Sequence, residues 1–273
     1  MVKKKMCYII IHQGFGDLFN SIGIINYYSD IYDLVYIFLL DNARIKIYNE
    51  IFFNKKNIIS IIPEFCDYNH INHPNTCIIC MTNGNNSHCP RIRREICKYI
   101  NYNLYDGDII KIGSFDNFDK WTEYRFNQFS FAHAFYSYNN LDTNIRFDYF
   151  KFYNNQTLEN NIYNNFIEKY GNEYILVHED TERKLFIDHN KISNNNLPII
   201  NLNNISENFI EFIKVIKNAK EIHLIDSSWS VLIYLLSFKH INVPVFLPDT
   251  QFKNMGRDTN IYKNPTFINW NFY

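Results

Sequence analysis

Short runs of apolar residues alternate along this chain with longer segments in which apolar residues recur at helical spacing. The short runs predict buried strands at 7–11, 34–40, 58–62, 76–81, 108–112, 174–178, 197–202, 221–225 and 243–247. The longer segments predict helices at 17–28, 45–51, 91–99, 121–138, 158–170, 206–219 and 228–238. Alternation of this kind is typical of a mainly parallel α/β fold, which is the fold class that we predict.

The rhythm of strands and helices restarts after a stretch rich in Asn and Asp at 140–157. We therefore predict two Rossmann-like domains, at 1–150 and 151–273, each long enough to bury its own core. Ligands of parallel sheets bind beyond the carboxyl ends of the strands. Polar residues that directly follow a strand are therefore the candidates for a functional site.

The charge balance argues against a nucleic-acid partner, because the net charge is −1 and no basic stripe stands out. No apolar run is long enough to cross a bilayer, so we expect no transmembrane segment and a cytoplasmic location. Asn, Ile, Lys, Tyr and Phe dominate the chain, which fits an AT-rich genome. If that genome is viral, the expected location is the host cytoplasm.

Six cysteines are present, and an intracellular chain is expected to keep them as free thiols. Cys77 and Cys80, with Cys89 and histidines nearby at 70, 73 and 88, can be interpreted as a zinc cluster. We favour a buried strand at 76–81, since alternation directs Cys77 and Cys80 to opposite faces. No Asp-x-Asp pair follows a predicted strand, so we expect no required metal.

A glycine turn, Gly14-Phe15-Gly16-Asp17, links the first strand to a helix. Glycine lets a ligand approach the backbone, and the helix start that follows carries free N–H groups and a partial positive charge. A dinucleotide site is one alternative for this turn. However, Phe19 stands where the fingerprint of such a site requires a third glycine.

Asp17 lies in the first turn of this helix, where a carboxylate could take a proton from the hydroxyl group of an acceptor substrate. The alternative is that Asp17 only stabilises the start of the helix. His12 and Gln13 precede the turn, and we assign them to the binding of the acceptor or of a sugar.

Charged and polar residues follow the first strand of the second domain, from His178 to Lys184. Arg183 offers a fixed fork of donors that suits phosphate oxygens, and Lys184 offers a point charge. We predict that His178, Arg183 and Lys184 bind the nucleotide or the diphosphate of a donor. A solvated charged loop is the alternative for this stretch, above all for Lys184.

Asp226, Ser227 and Ser228 follow a later strand and open the next helix. Two hydroxyl groups beside the free N–H groups of a helix start form an anion site. We predict that these three residues, together with Gly14 and Gly16, contact the donor nucleotide. An ordinary N-terminal cap by one of the serines is the alternative.

The turn at 14–17 before an apolar helix, together with the Asp-Ser-Ser turn at 226–228, resembles the heptosyltransferase-like glycosyltransferases. The resemblance implies the GT-B fold, in which two Rossmann-like domains face a central cleft, the first on the acceptor side and the second binding the nucleotide sugar. It implies that Asp17 is the general base of an inverting transfer and that the residues at 226–228 contact the donor diphosphate. A histidine common downstream in the family is replaced here by Val231-Leu232-Ile233.

These features predict a glycosyltransferase that moves a hexose or deoxyhexose from a nucleotide sugar, such as a UDP- or GDP-sugar, to a hydroxyl group of a glycan or another acceptor. We expect an inverting, metal-independent reaction with no cofactor beyond that substrate. One alternative is an NAD(P)-dependent nucleotide-sugar enzyme, and another is a non-catalytic protein that binds a sugar or a nucleotide. The sequence leaves the donor's base and sugar open, and also whether the chain forms a homodimer.

Overall fold

The computed structural model of this chain describes residues 4–11, 14–39, 42–62, 107–112, 131–193, 196–204, 209–237, 243–247 and 270–272. The chain divides into two units, Met1–Tyr153 and Asn154–Tyr273, and each contains one parallel sheet. The predicted α/β class with parallel sheets is therefore confirmed. The strand predicted at 76–81, the helix predicted at 91–99 and the proposed zinc cluster lie outside the described residues.

The first unit is built on a four-stranded parallel sheet with the strand order β3-β2-β1-β4. Its strands are β1 (Met6–Ile11), β2 (Leu34–Phe38), β3 (Ile58–Ile61) and β4 (Gly107–Ile112). Its described helices are α1 (Phe15–Ser29), α2 (Asn42–Ile51), α3 (Phe131–Ser137) and α4 (Ile145–Asp148). The sequence predicts all four strands, whereas α4 forms in a stretch that we expected to be a break between domains.

The core of the first unit lies between its sheet and α1. β1 is the inner strand between β2 and β4, and its residues 7–11 are all buried, as are most residues of α1. Cys7 is a free thiol, as predicted, and burial followed by the charge of Asp108 raises its pKa to about 12. Gly23 lets α4 cross α1 closely, because a Cβ atom at Gly23 would lie 2.7 Å from the backbone oxygen of Ile145.

The second unit is built on a five-stranded parallel sheet with the strand order β6-β5-β7-β8-β9. Its strands are β5 (Ile175–His178), β6 (Ile199–Asn201), β7 (Glu221–Leu224), β8 (Val245–Leu247) and β9 (Trp270–Phe272). Its described α-helices are α5 (Gln156–Tyr170), α6 (Ile213–Asn218) and α7 (Ser228–Ser237). α5 ends before Gly171, which caps the helix with a φ of 86°, a value that glycine adopts readily, and its N–H donates to the oxygen of Ile167.

The segment before α6 and the tail of the second unit differ from the sequence-based expectation. The helix predicted at 206–219 is wrong over its described beginning, where Ile210–Phe212 forms a 3₁₀ turn before α6; Ser206 lies outside the described residues. The described residues between β5 and β6 form no α-helix, but a tight hairpin and a 3₁₀ turn at His189–Lys191. β9 lies in a tail for which the sequence predicted no element.

In both sheets the order in which strands are added reverses beside the first strand of the unit. In the first unit β1 leads to β2 and β3 on one side, while β4 pairs with the other side of β1. In the second unit β6 and β7 flank β5 in the same way. The carboxyl ends of the strands at such a switch point form the usual ligand-binding crevice of an open parallel sheet. Among the described helices, none is long and apolar enough to cross a membrane.

Candidate functional site

The first candidate turn follows β1 at the switch point of the first sheet. Gly14 caps α1 in an extended conformation, with φ −66° and ψ 143°, and its carbonyl accepts the first helical hydrogen bond from the N–H of Leu18 at 3.0 Å. Gly16 lies within the first turn of the helix. His12 and Gln13, predicted to bind acceptor or sugar, lie outside the described residues.

The side chain of Asp17 lies against Gly14 at the start of α1. It is the third residue of the helix, and a Cβ atom placed on Gly14 would lie only 2.9 Å from its Oδ2 atom. The residue is 9% exposed, so its carboxylate lies at the margin of the core. Burial raises the pKa of Tyr48, and the charge of Asp17 raises it further. This placement suits a carboxylate that stabilises the helix start, and it also leaves the carboxylate at the end of β1 where a ligand would bind.

Asn20 of α1 is the centre of a buried cluster of polar side chains that the sequence did not predict. Arg146 in α4 is 4% exposed and donates from Nη2 to Oδ1 of Asn20. The hydroxyl of Tyr136 donates to the backbone oxygen of Asn20 at 2.8 Å. Burial, followed by the charge of Arg146, lowers the pKa of His133. Arg146 lies in a helix and does not follow a strand, so the pattern of polar residues at strand ends does not predict it.

The second candidate stretch, after β5, is a hairpin that holds Arg183 in a fixed position. Asp180 and Leu185 exchange two backbone hydrogen bonds of 2.9 Å each, and Lys184 closes the turn with a left-handed φ of 55°. Oδ1 of Asp180 accepts from the backbone N–H of Arg183 at 2.8 Å, and Oδ2 accepts from its Nε at 2.6 Å. Burial acts to raise the pKa of Asp180, but the N–H group and guanidinium of Arg183 outweigh it and lower that pKa.

Arg183 also connects this hairpin to the third candidate stretch. Its Nη2 atom donates to the backbone oxygen of Asp226, at a distance of 3.4 Å. The neighbouring strand ends are joined as well, since the N–H of Ile225 donates to the oxygen of His178 at 3.3 Å. The structure thus brings together His178, Arg183 and Asp226, which the sequence predicts to contact one ligand.

The start of α7 follows β7 directly and is capped differently from the prediction. The backbone N–H of Ser227 donates to Oγ of Ser230 at 3.1 Å, and that hydroxyl donates to the oxygen of Ser227 at 2.7 Å. The hydroxyl oxygen of Ser227 is itself buried and has no hydrogen-bond partner. Ser228 is partly exposed. The cap therefore comes from Ser230, a serine that the sequence analysis did not select.

The first turn of α7 carries backbone N–H groups that the helix itself does not pair. In any α-helix the first N–H groups have no partner within the helix, and here they belong to Ser228, Trp229 and Ser230. Trp229 packs against Phe209 with 4.4 Å between ring centroids, which fixes this end of the helix. Asp226 is 1% exposed, so its buried carboxylate can stabilise the start of the helix but does not face solvent, where a phosphate would bind.

His178 ends β5 and is 7% exposed. Val177 belongs to the apolar cluster that includes Ile225, so alternation along the strand directs His178 to the opposite face of the sheet. Burial, followed by the nearby guanidinium of Arg183, lowers the pKa of His178 to about 4. Its Nδ1 atom is buried and has no hydrogen-bond partner. A neutral imidazole therefore lies beside the cationic Arg183.

Glu221 and His223 form a second buried polar pair, on β7. Nε2 of His223 lies 3.0 Å from Oε2 of Glu221, and the imidazole stacks on Phe246 with 4.5 Å between centroids. Burial lowers the pKa of His223, although Glu221 opposes the shift. The two residues share one face of β7, as positions two apart on a strand do. Two titratable residues inside an otherwise apolar strand run are the signal in the sequence that points to this pair.

In the described part of the chain no group of three or more histidine, cysteine, aspartate or glutamate side chains could hold a metal ion. The described candidates are Asp17 at the end of β1 in the first unit and, in the second unit, the residues around Arg183 at the ends of β5 and β7. No protein-family model matches the chain, and no curated protein is similar to it at a significant level.

Proposed function

We propose that this protein is a glycosyltransferase that moves a hexose or deoxyhexose from a nucleotide sugar to a hydroxyl acceptor. The observation that carries the proposal is the bond between Arg183 and the carbonyl of Asp226, which places a guanidinium beside the start of α7. A cation and a helix start then share the switch point of one parallel sheet. A diphosphate is the ligand whose charge and size such a pair suits best.

Arg183 and the start of α7 are also suited to stabilise a nucleoside diphosphate as the leaving group. When the bond between the anomeric carbon and the diphosphate oxygen breaks, negative charge grows on that oxygen, and fixed donors stabilise it without reorganisation. Arg183 is held in place by Asp180 and Asp226, so its fork is oriented before a ligand arrives. We propose that Arg183, Ser228 and the free N–H groups of α7 receive this charge, in a fold of the GT-B type.

In the first unit we propose Asp17 as the general base. As the acceptor oxygen forms its bond to the anomeric carbon, its proton passes to the Asp17 carboxylate, while the diphosphate leaves from the opposite side and the configuration inverts. The position of Asp17 after β1 supports this role, because that strand end lies at the switch point of the first sheet.

One observation favours a second candidate, a non-catalytic nucleotide-binding protein. The Asp17 carboxylate lies against Gly14 at the start of α1, where an acidic side chain stabilises a helix without any chemistry. A dinucleotide-dependent enzyme finds less support. Phe19, which occupies the position of the third glycine of that fingerprint, is fully buried in α1.

The proposal is tested in two steps on the full chain. A thermal-shift screen with UDP, GDP, ADP, CMP and NAD comes first, because only a ligand that binds the native state raises Tm. We expect a shift with one nucleoside diphosphate, and a shift with NAD alone would overturn the proposal. Hydrolysis of the matching nucleotide sugars by wild type, Asp17→Asn and Asp30→Asn then follows.

Asp30 ends α1 and is exposed, so Asp30→Asn is the matched control. We expect Asp17→Asn to lose turnover and keep nucleotide binding, while Asp30→Asn keeps both. Equal turnover in Asp17→Asn and wild type would remove the catalytic role, and binding without turnover in the wild type would favour the non-catalytic protein.

A further inference from the structure

Glu179 is a mostly buried carboxylate at the ligand-binding edge of the second sheet, and the proposed function assigns it no role. It directly follows β5, and 17% of its side chain is exposed. Its backbone oxygen accepts from Nδ2 of Asn203 at 2.6 Å, and Asn203 lies just beyond β6. Sheets of parallel strands bind their ligands at the carboxyl ends of the strands. Glu179 is therefore a charged group at the position where a ligand is expected.

One oxygen of this carboxylate is held in place by two donors. Oε1 accepts from the backbone N–H of Ile187 at 3.2 Å, and it lies 3.1 Å from Nε2 of His189. An ionised carboxylate can only accept, so Nε2 carries a hydrogen in the neutral and in the protonated imidazole alike. Among the residues that the structure describes, both hydrogen bonds of the carboxylate use Oε1. Oε2 has no such partner and is not a buried atom, so it can meet a ligand.

A hydroxyl group close to a diphosphate is the ligand chemistry that suits Oε2. A carboxylate repels phosphate but accepts strong hydrogen bonds from hydroxyl and N–H groups. The next residue, Asp180, orients Arg183 through its own carboxylate. Neighbouring Cα atoms lie about 3.8 Å apart, so a group bound at Oε2 must be attached close to the diphosphate. A nucleotide sugar carries hydroxyl groups there, on the ribose at one end of the diphosphate and on the hexose at the other, whereas its base lies further away.

We propose that Glu179 is a specificity residue whose Oε2 atom accepts a hydrogen bond from a sugar hydroxyl of the nucleotide sugar, on the ribose or on the hexose. The inference rests on the proposed function and deepens it, since it divides the ligand between two sets of partners. Arg183 and the start of α7 take the diphosphate, and Glu179 selects for a sugar attached to it.

The test is isothermal titration of the full chain with inorganic pyrophosphate, with UDP, GDP and ADP, and with UDP- and GDP-hexoses. In Glu179→Met the side chain keeps its length but cannot accept a hydrogen bond. We expect this variant to bind a ligand that carries the recognised hydroxyl about tenfold more weakly, and to bind pyrophosphate no more weakly than wild type. Glu173→Met is the matched control, because Glu173 is exposed and precedes the other end of β5, and it should change no affinity.

The two sources of the hydroxyl give different results. A loss in Glu179→Met that is already present with the nucleoside diphosphate assigns the contact to the ribose, and the 2′-deoxy or 3′-deoxy analogue should then bind wild type and variant with the same affinity. A loss that appears only with the nucleotide hexose assigns the contact to the hexose. Equal losses for nucleotide and pyrophosphate, or no loss with any nucleotide or nucleotide hexose, would overturn the inference.

Amide NMR of the wild type covers the case in which Glu179→Met does not fold. The N–H of Ile187 donates to the Glu179 carboxylate, so its resonance should move when a nucleotide or nucleotide hexose is added, but not when pyrophosphate is added. A resonance that ignores every nucleotide and nucleotide hexose, or that responds to pyrophosphate in the same way, would overturn the inference. A wild type that binds neither pyrophosphate nor any nucleotide would instead remove the proposed function itself.

Discussion

Arg183 donates from Nη2 to the backbone oxygen of Asp226 at 3.4 Å and so joins the end of β5 to the start of α7. The same guanidinium is held at its other edge by the Asp180 carboxylate, 2.6 Å from Nε. Both contacts need the planar fork of arginine, which a lysine ammonium cannot reproduce. The position of this cation therefore depends on the shape of its side chain as well as on its charge.

Arg183→Lys should accordingly weaken binding of a nucleoside diphosphate almost as much as Arg183→Ala. Charged hydrogen bonds of this kind contribute about 1.5–3 kcal/mol each, so we expect a loss of about tenfold to a hundredfold in titration calorimetry. Lys220→Ala, which removes an exposed cation paired with Glu173, is the control and should leave affinity unchanged. Full affinity in Arg183→Lys would show that only the charge matters.

Gly14→Ala should reduce activity more than stability. The backbone of Gly14 is extended and accepts alanine, but the new Cβ would lie 2.9 Å from Oδ2 of Asp17, so the carboxylate must move. Because only the end of one side chain is displaced, we expect a stability loss of about 1 kcal/mol in urea unfolding, alongside a large loss of turnover. In a double-mutant cycle, Asp17→Ala should remove that stability loss. Additive stability losses would contradict the close contact.

Gly23→Ala should destabilise the first unit. A Cβ atom there would meet the backbone of α4, 2.7 Å from the oxygen of Ile145 and 2.8 Å from that of Arg146. Backbone atoms cannot move aside as a side chain can, so we expect a loss of about 1–3 kcal/mol in spite of alanine's better helix propensity. Asn49→Ala, at an exposed position of α2, is the control and should be neutral or stabilising. A more stable Gly23→Ala protein would show that the helices do not cross this closely.

The lowered pKa of His178 predicts that the folded protein loses stability in mild acid. Its pKa in the folded protein, about 4, lies below the ordinary 6.5, because burial and Arg183 act against protonation while Asp180 and Glu179 act in its favour. Between those two values the unfolded chain binds more protons, so the stability present above pH 6.5 is lost as the pH falls toward 4. Urea unfolding of the wild type should lose about 2 kcal/mol more than His178→Gln between pH 7 and pH 5. Parallel pH profiles would mean that His178 is protonated as readily when folded.

The sequence predicts every strand of the two sheets except β9, because buried parallel strands are short apolar runs, as at β1 and β7. It predicts the location of Arg183 and of Ser227 because polar residues at strand ends are visible in a single sequence. The contacts of these residues are less accessible, since they depend on three-dimensional partners. Neither the left-handed Lys184 that closes the hairpin nor the cap supplied by Ser230 follows from local preference.

Long-range packing explains the remaining differences between the predicted and the observed structure. β9 is a three-residue strand that gains its conformation by pairing with β8, and its own residues carry little strand signal. The 3₁₀ turn at Ile210–Phe212 precedes α6, although apolar spacing in that region favours one longer helix. Arg146 is buried through its contact with Asn20, which lies 126 positions earlier in the chain. Such contacts are set by the fold and leave no pattern in the neighbouring residues.

The most direct measurement of the central claim is the backbone amide spectrum of the labelled protein during a titration with UDP, GDP and ADP. If a diphosphate binds at the start of α7, the amide protons of Ser228, Trp229 and Ser230 should shift downfield together, and the Nε proton of Arg183 should shift with them. Arg183→Ala should require a higher nucleotide concentration for the same change. Resonances of α7 that stay in place while other amides respond would contradict the account.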